Sequence, residues 1–374
     1  MPTLREALHR IAASFRTRGA LGLRPVTAPV MVFIPLGILL GPAGGNIISH
    51  GALGHLDVVI SVALATLGVF IGIAAGTQSG SVRRLMTAST VEAAITILAV
   101  AGATYVLLNA WQMPLGMTYA LVALTLGVSA SASAAPSVEE HDNLARRVAA
   151  RVADLDDVLP IVLGGIVLSQ LGGSDRAALL DLGLSVGVGL GVAASGLLLF
   201  ELSAGAERDV FVLGTLALLG GAAAYLDLSP LLTGMAAGWL WAQAPGQTEH
   251  VVAAHLRKVQ HPLVVILLVT AGASLEVSMA GIWLFAPYVV FRTVGKLTGG
   301  WMASRLAPGV APSDLGAYLI PPGVIGIAFA LNVLQVAPGA AMPLVFAVSA
   351  GAIVSELLAV LVTPVPVPVR TAAA

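Results

Sequence analysis

Long apolar runs, broken at short intervals by charged or Gly/Pro-rich stretches, dominate the chain. They mark twelve candidate spans, at about 27–47, 57–75, 88–109, 115–136, 149–170, 179–200, 208–226, 228–244, 261–279, 282–305, 312–335 and 340–364. Most approach the ~20 residues that an α-helix needs to cross hydrocarbon, and they lack the strict apolar/polar alternation of membrane β-strands. The pattern predicts an all-α polytopic membrane protein with about 12 transmembrane helices. No connection between runs is long enough for a soluble domain, so residues 27–366 read as one membrane domain, preceded by a polar segment over 1–26 and followed by a short tail over 367–374.

Composition agrees. Of 374 residues, 57% are apolar and 10% charged, with a mean hydropathy of +0.95. A soluble domain carries about a quarter charged residues, which excludes an ordinary soluble enzyme. The 42 glycines suit helices packed closely in lipid. The absence of cysteine removes disulfides, thiolate chemistry and Cys-metal sites. A net charge of −1 carries no sign of a nucleic-acid partner.

Orientation follows from the basic residues, which accumulate on the cytoplasmic side of span ends. Fifteen of eighteen Lys and Arg precede the first span or fall at even-numbered breaks. Both termini are therefore predicted to be cytoplasmic, in an inner membrane. Leu4, Leu8, Ile11 and Phe15, with arginines between them, suit an amphipathic helix on the anionic inner leaflet.

Charges inside spans are functional candidates, because each costs about 2.5–3.5 kcal/mol at a helix centre on insertion scales. The fifth span carries Asp154, Asp156 and Asp157; the tenth carries Arg292 and Lys296. Asp156 is nine residues from Arg147, and Lys296 is nine from Arg305. At 1.5 Å per residue both lie roughly 13–14 Å inside the cytoplasmic boundary. Opposite charges thus share a level near the midplane. Adjacent helical positions point about 100° apart, so one aspartate can face Lys296 while the other faces a water-filled cavity. An ion pair alone could serve only to fix helix packing, but here a second carboxylate is left over. Such a carboxylate can exchange a proton for a metal cation. Glu92, Arg292 and Glu356 are expected to form a structural ion-pair network.

Two spans look broken. The fourth runs Thr125-Leu-Gly-Val-Ser129-Ala-Ser131-Ala-Ser133-Ala-Ala-Pro136, and the eleventh contains Ile320-Pro321-Pro322-Gly323. Proline removes a backbone donor, and unwound backbone at membrane depth occurs where it is buried or lines a cavity. The breaks occupy the middle of spans 3–5 and of spans 10–12, two sets of opposite orientation. Discontinuous helices at corresponding places mark an inverted repeat and a transporter site.

These residues resemble a family. The stretch Pro35-Leu-Gly-Ile-Leu-Leu-Gly-Pro42, the run Leu67-Gly-Val-Phe-Ile-Gly-Ile73, the serine-rich break at 129–133, the pair Asp156-Asp157 and Gly295-Lys296 are similar to bacterial monovalent cation/proton antiporters of the NapA and NhaA type. The resemblance implies an NhaA-like fold with two crossed discontinuous helices. It implies a core at about 88–170 and 282–364 that moves against a dimerisation scaffold, in a homodimer. It also implies exchange of Na+ or Li+ for H+, on the electrogenic branch, with no cofactor beyond the transported ions. By position Asp157 would carry the cation (the Na+ ligand) and the proton, Asp156 would pair with Lys296, and Thr125, Ser129 and Ser131 would offer cation ligands at the helix break.

Alternatives are a K+/H+ antiporter and a sodium-coupled importer of an organic anion on the same scaffold. An intramembrane enzyme finds no support, since there is no HExxH and no cysteine, and the paired aspartates lie on one helix. His250, His255 and His261 fall in the break before the ninth span, where histidine could sense pH. Glu139, Glu140, His141 and Asp142 could concentrate cations at the cytoplasmic entrance.

Overall fold

In hydrocarbon every backbone N–H and C=O must be satisfied within the protein, and the apolar runs meet this demand as α-helices. The computed structural model describes residues 28–76, 80–134, 144–172, 178–203, 205–244, 248–308 and 311–362. The amphipathic segment expected at the N-terminus, the acidic stretch 139–142 and the tail at 367–374 lie outside them. The helices are α1 (Pro29–Leu40), α2 (His50–His55), α3 (Asp57–Gly76), α4 (Gly80–Trp111), α5 (Tyr119–Ser131), α6 (Leu144–Leu155), α7 (Val158–Leu171) and α8 (Ala178–Leu202). They continue as α9 (Gly205–Tyr225), α10 (Pro230–Gln243), α11 (Thr248–Ala273), α12 (Met279–Leu306), α13 (Leu315–Tyr318), α14 (Val324–Val336) and α15 (Pro338–Val362).

This is a multi-pass membrane fold. Among the described residues, six stretches are long and apolar enough to cross a membrane unaided: Asp57–Gly76, Arg84–Trp111, Ala178–Phe200, Glu207–Tyr225, Val252–Ala273 and Pro338–Val362. The remaining predicted spans correspond to shorter helices, to pairs of helices, or to α12, whose apolar run is interrupted by charge. The ninth span needs correction. Its helix, α11, starts at Thr248, so the three histidines lie on it and not in a connecting loop.

The two expected breaks are present and meet each other. Helix α5 stops at Ser131, where Ala132 turns to extended geometry (φ −63°, ψ 133°). Between α13 and α14 the chain is extended through Pro321-Pro322, since a residue before proline is pushed out of the helical region. The two extended pieces run antiparallel, bridged at Ser133 and Pro322. Ala134 N–H donates to Pro321 O at 3.0 Å, and Gly323 N–H donates to Ala132 O at 3.2 Å. Each interruption thereby supplies partners for backbone that the other leaves open.

A third interruption falls in the fifth span, read from the sequence as continuous. Helix α6 ends at Leu155 and α7 begins at Val158, leaving Asp156 and Asp157 in a turn. The cause is Pro160: it has no N–H for the Asp156 carbonyl four residues earlier, and its ring crowds that carbonyl.

Small residues set the closest helix contacts. Gly68 and Gly72 of α3 lie directly against backbone of α10, and Gly234 and Gly238 of α10 return the contact at Ala65 and Val69. Gly295 and Gly299 of α12 lie against Thr96 and Glu92 of α4. These approaches leave no room for a Cβ. A further apolar cluster joins Val69, Phe200, Leu216, Trp241 and Leu256, and the Trp241 indole donates to Ala193 O at 3.0 Å.

Candidate functional site

Helix α12 is the backbone of the site. Tyr288, Arg292, Gly295, Lys296 and Gly299 recur at helical spacing and are buried together. Glycines at 295 and 299 bring this face onto α4, and the two polar side chains between them reach the helix breaks.

Lys296 lies 3.0 Å from Asp156 Oδ2 and 3.1 Å from Glu92 Oε1. Its ammonium also donates to the carbonyl of Ser131, at the C-terminal end of α5, where helix carbonyls are without intrahelical partners. The Lys296, Glu92 and Asp156 side chains have no solvent exposure. Around them, the Ser133 hydroxyl donates to Asp156 Oδ2 at 2.8 Å and the Thr96 hydroxyl to Glu92 Oε1 at 2.9 Å. One ammonium therefore serves two carboxylates, one on α4 and one in the turn between α6 and α7.

Asp157 differs from its neighbour. It is 4% exposed, and its Oδ1 is buried without a protein hydrogen-bond partner, as are Asp156 Oδ1 and Ser129 Oγ. Thr125 and Ser131 spend their hydroxyl protons on Leu121 O at 2.7 Å and Val128 O at 3.1 Å. Their oxygens keep lone pairs for a further ligand. Asp154 sits on α6, two residues before the turn.

Arg292 departs from the expected network. Its guanidinium donates to Ile320 O at 2.6 Å and to Ala132 O at 3.0 Å, one carbonyl from each break. It makes no ion pair with Glu92 or Glu356 among the described residues; its two terminal nitrogens are directed at the carbonyls of the crossing. Glu92 is held instead by Lys296, and Glu356 on α15 meets Arg292 only through longer-range electrostatics. The Tyr288 hydroxyl lies at the edge of hydrogen-bond distance from Ser129 O, at 3.5 Å.

Sequence reasoning brought Asp156 and Lys296 to one level. It missed Glu92 as a partner of Lys296 and Ser133 as a partner of Asp156, contacts made across 204 and 23 residues. The break at the aspartates did carry a signal, the proline four residues after Asp156. Away from this site, His255 Nε2 lies 2.6 Å from Asp209 Oδ1, joining α11 to α9, while His261 is exposed.

No protein-family model matches the chain, and no curated protein sequence matches it. Among solved structures, it is similar to the sodium proton antiporter MjNhaP1 from Methanocaldococcus jannaschii at pH 8, with a TM-score of 0.66 over 96% of this chain and 100% of that one, at 16% identity. The chain has the fold of that antiporter. Within this fold, the crossing of extended segments and the turn at Asp156-Asp157 are adjacent, joined by Ser133 and Lys296, while Arg292 ties the crossing to α12.

Proposed function

We propose that the protein exchanges Na+ or Li+ for H+ across a membrane by alternating access, with Asp157 carrying either the cation or the proton. One observation carries this reading: a buried carboxylate with an unpartnered oxygen stands beside a carboxylate whose charge is already engaged by a lysine. The ligands we assign to the cation are Asp157, Asp156 Oδ1 and the Ser129 oxygen, each with a buried oxygen that lacks a protein partner and all hard oxygen ligands suited to a small alkali ion. A proton satisfies the same carboxylate in the cation's absence, so the two ligands compete for one group. Thr125 and Ser131 are secondary candidates. Acidic oxygen ligands disfavour an organic anion as cargo, whereas K+ differs from Na+ only in size and is a variant of the same exchange.

The likeness to a sodium proton antiporter supports this function, as does the packing of α4–α7 with α12–α15 around the crossing. We assign these helices to the moving core and the remainder to a scaffold through which two copies associate. The basic residues support cytoplasmic termini in an inner membrane. The test is proteoliposomes containing only this protein and a preformed pH gradient. Addition of sodium or lithium is expected to dissipate the gradient, and no response to sodium, lithium or potassium between pH 6 and 9 overturns the proposal.

A further inference from the structure

Helix α14 is apolar from Val324 to Leu331, and its two polar side chains, Asn332 and Gln335, come in its last turns. Three positions apart, they share a face. Asn332 Nδ2 donates to Gln335 Oε1 at 3.1 Å, and Gln335 Nε2 donates to the carbonyl and the carboxylate Oδ1 of Asp57, at 3.0 and 3.3 Å. Asp57 opens α3 and is exposed. Its oxygens only accept, which orients the Gln335 amide and, through it, that of Asn332. The deep end of this chain of amides is therefore Asn332 Oδ1, buried without a protein hydrogen-bond partner on a side chain only 4% exposed.

The row connects the level of the site with the far surface. Helix α14 starts at the crossing, directly after Pro322 and Gly323, and α7 starts beside Asp157. The two run side by side, with Gly164 against the Phe329 ring and Gly172 near Val336. Asn332 is eight residues beyond Val324, roughly 12 Å along the helix. The basic residues collect at the opposite ends of the spans, so Gln335 and Asp57 mark the outer end. Leaving a buried amide oxygen unpaired is costly, and asparagine is a poor helix former. An apolar residue at 332 avoids both costs, so packing gives no reason for the amide.

We propose that Asn332, Gln335 and Asp57 form a second, outer site for the transported alkali cation, between Asp157 and the outer solution. This rests on the antiport reading above. The Asp57 carboxylate draws the cation to the mouth by charge, an attraction that salt screens. Gln335 Oε1 keeps a free lone pair, and with Asn332 Oδ1 it replaces part of the ion's water shell, as carbonyl oxygens do in ion pathways. The ion binds and leaves without any proton or covalent step at these residues.

The test compares the two faces of the full chain. Sodium-dependent proton movement is measured in everted membrane vesicles, which present the cytoplasmic face, and in right-side-out vesicles, which present the outer one. Asn332→Ala is expected to raise the half-saturating sodium concentration about tenfold at the outer face and to leave it within about twofold at the cytoplasmic face. In the wild type the outer-face value is expected to rise with added choline chloride. Asp57→Asn keeps the backbone bond to Gln335 but removes the charge; its outer-face value is expected to be higher and to lose this salt response, whereas Asp57→Glu keeps it. A folded Asn332→Ala variant with no shift, or with equal shifts at both faces, overturns the outer site. So does an Asp57→Asn variant that responds to choline chloride as the wild type does. Wild-type exchange leaves the antiport reading standing in both cases, and its absence at both faces overturns both. Should Asn332→Ala fail to fold, the salt response of Asp57→Asn decides alone.

Discussion

Arg292 Nη1 lies 2.6 Å from the carbonyl oxygen of Ile320. The other terminal nitrogen of the same guanidinium reaches Ala132 O at 3.0 Å, so one buried side chain ties both interrupted spans to α12. Helix C-termini carry partial negative charge, and unwinding α5 and α13 inside the protein concentrates that charge at the crossing. A planar cation with a fixed fork of donors answers two carbonyls at once; an ammonium is a point charge.

Arg292→Lys is therefore expected to lower thermal stability, and Arg292→Gln to lower it further. Hydrogen bonds involving a charged group contribute about 1.5–3 kcal/mol each. Tryptophan fluorescence during heating in detergent reads the order. Equal melting temperatures for the three proteins would show that the backbone pairing of 132–134 with 321–323 holds the crossing by itself.

Asp157→Asn is expected to abolish sodium/proton exchange in liposomes while the protein stays folded, with a melting temperature no lower than that of the wild type. The amide keeps the size of the side chain but can bind neither a proton nor a cation as the carboxylate does. Wild-type exchange by this variant would move the cation site elsewhere.

Glu92→Gln and Asp156→Asn should each be partly tolerated, since either change leaves Lys296 one carboxylate. The double variant leaves a buried ammonium with only neutral partners, a costly state. Its stability loss is expected to exceed the sum of the single losses by about 1–3 kcal/mol, in the range of coupled neighbours. Additive losses, measured by thermal or denaturant unfolding, would mean that Lys296 is served by only one of the two.

Gly299→Val places a branched side chain against the backbone of Glu92. It is expected to force α12 off α4 and reduce both the yield of folded protein and sodium exchange. Gly102→Ala is the control: it lies on α4 with nothing within 4 Å of the added methyl, and should leave both unchanged. Comparable loss in the two variants would point to glycine's effect on the helix itself and not to the approach of α12.

The helical membrane class and the two proline- or serine-marked breaks could be read from the chain, because hydrocarbon imposes a length and a polarity on each segment independently of its neighbours. The level shared by Asp156 and Lys296 could be read too, since helical rise converts residue counts from Arg147 and Arg305 into depth. Depth along a helix axis says nothing about azimuth or neighbour identity. Glu92, Arg292 and Glu356 read alike along the chain, yet Glu92 pairs with Lys296, Arg292 donates to two carbonyls and Glu356 forms no ion pair with either cation among the described residues. Only the packing of α12 on α4 through Gly295 and Gly299 decides this. Ser133 reaches Asp156 for the same reason, because the crossing of two extended segments sets its position. Local chemistry and the membrane select the elements, whereas ion pairs within about 3 Å depend on which helix faces touch, and that is settled by close packing among residues far apart in the chain.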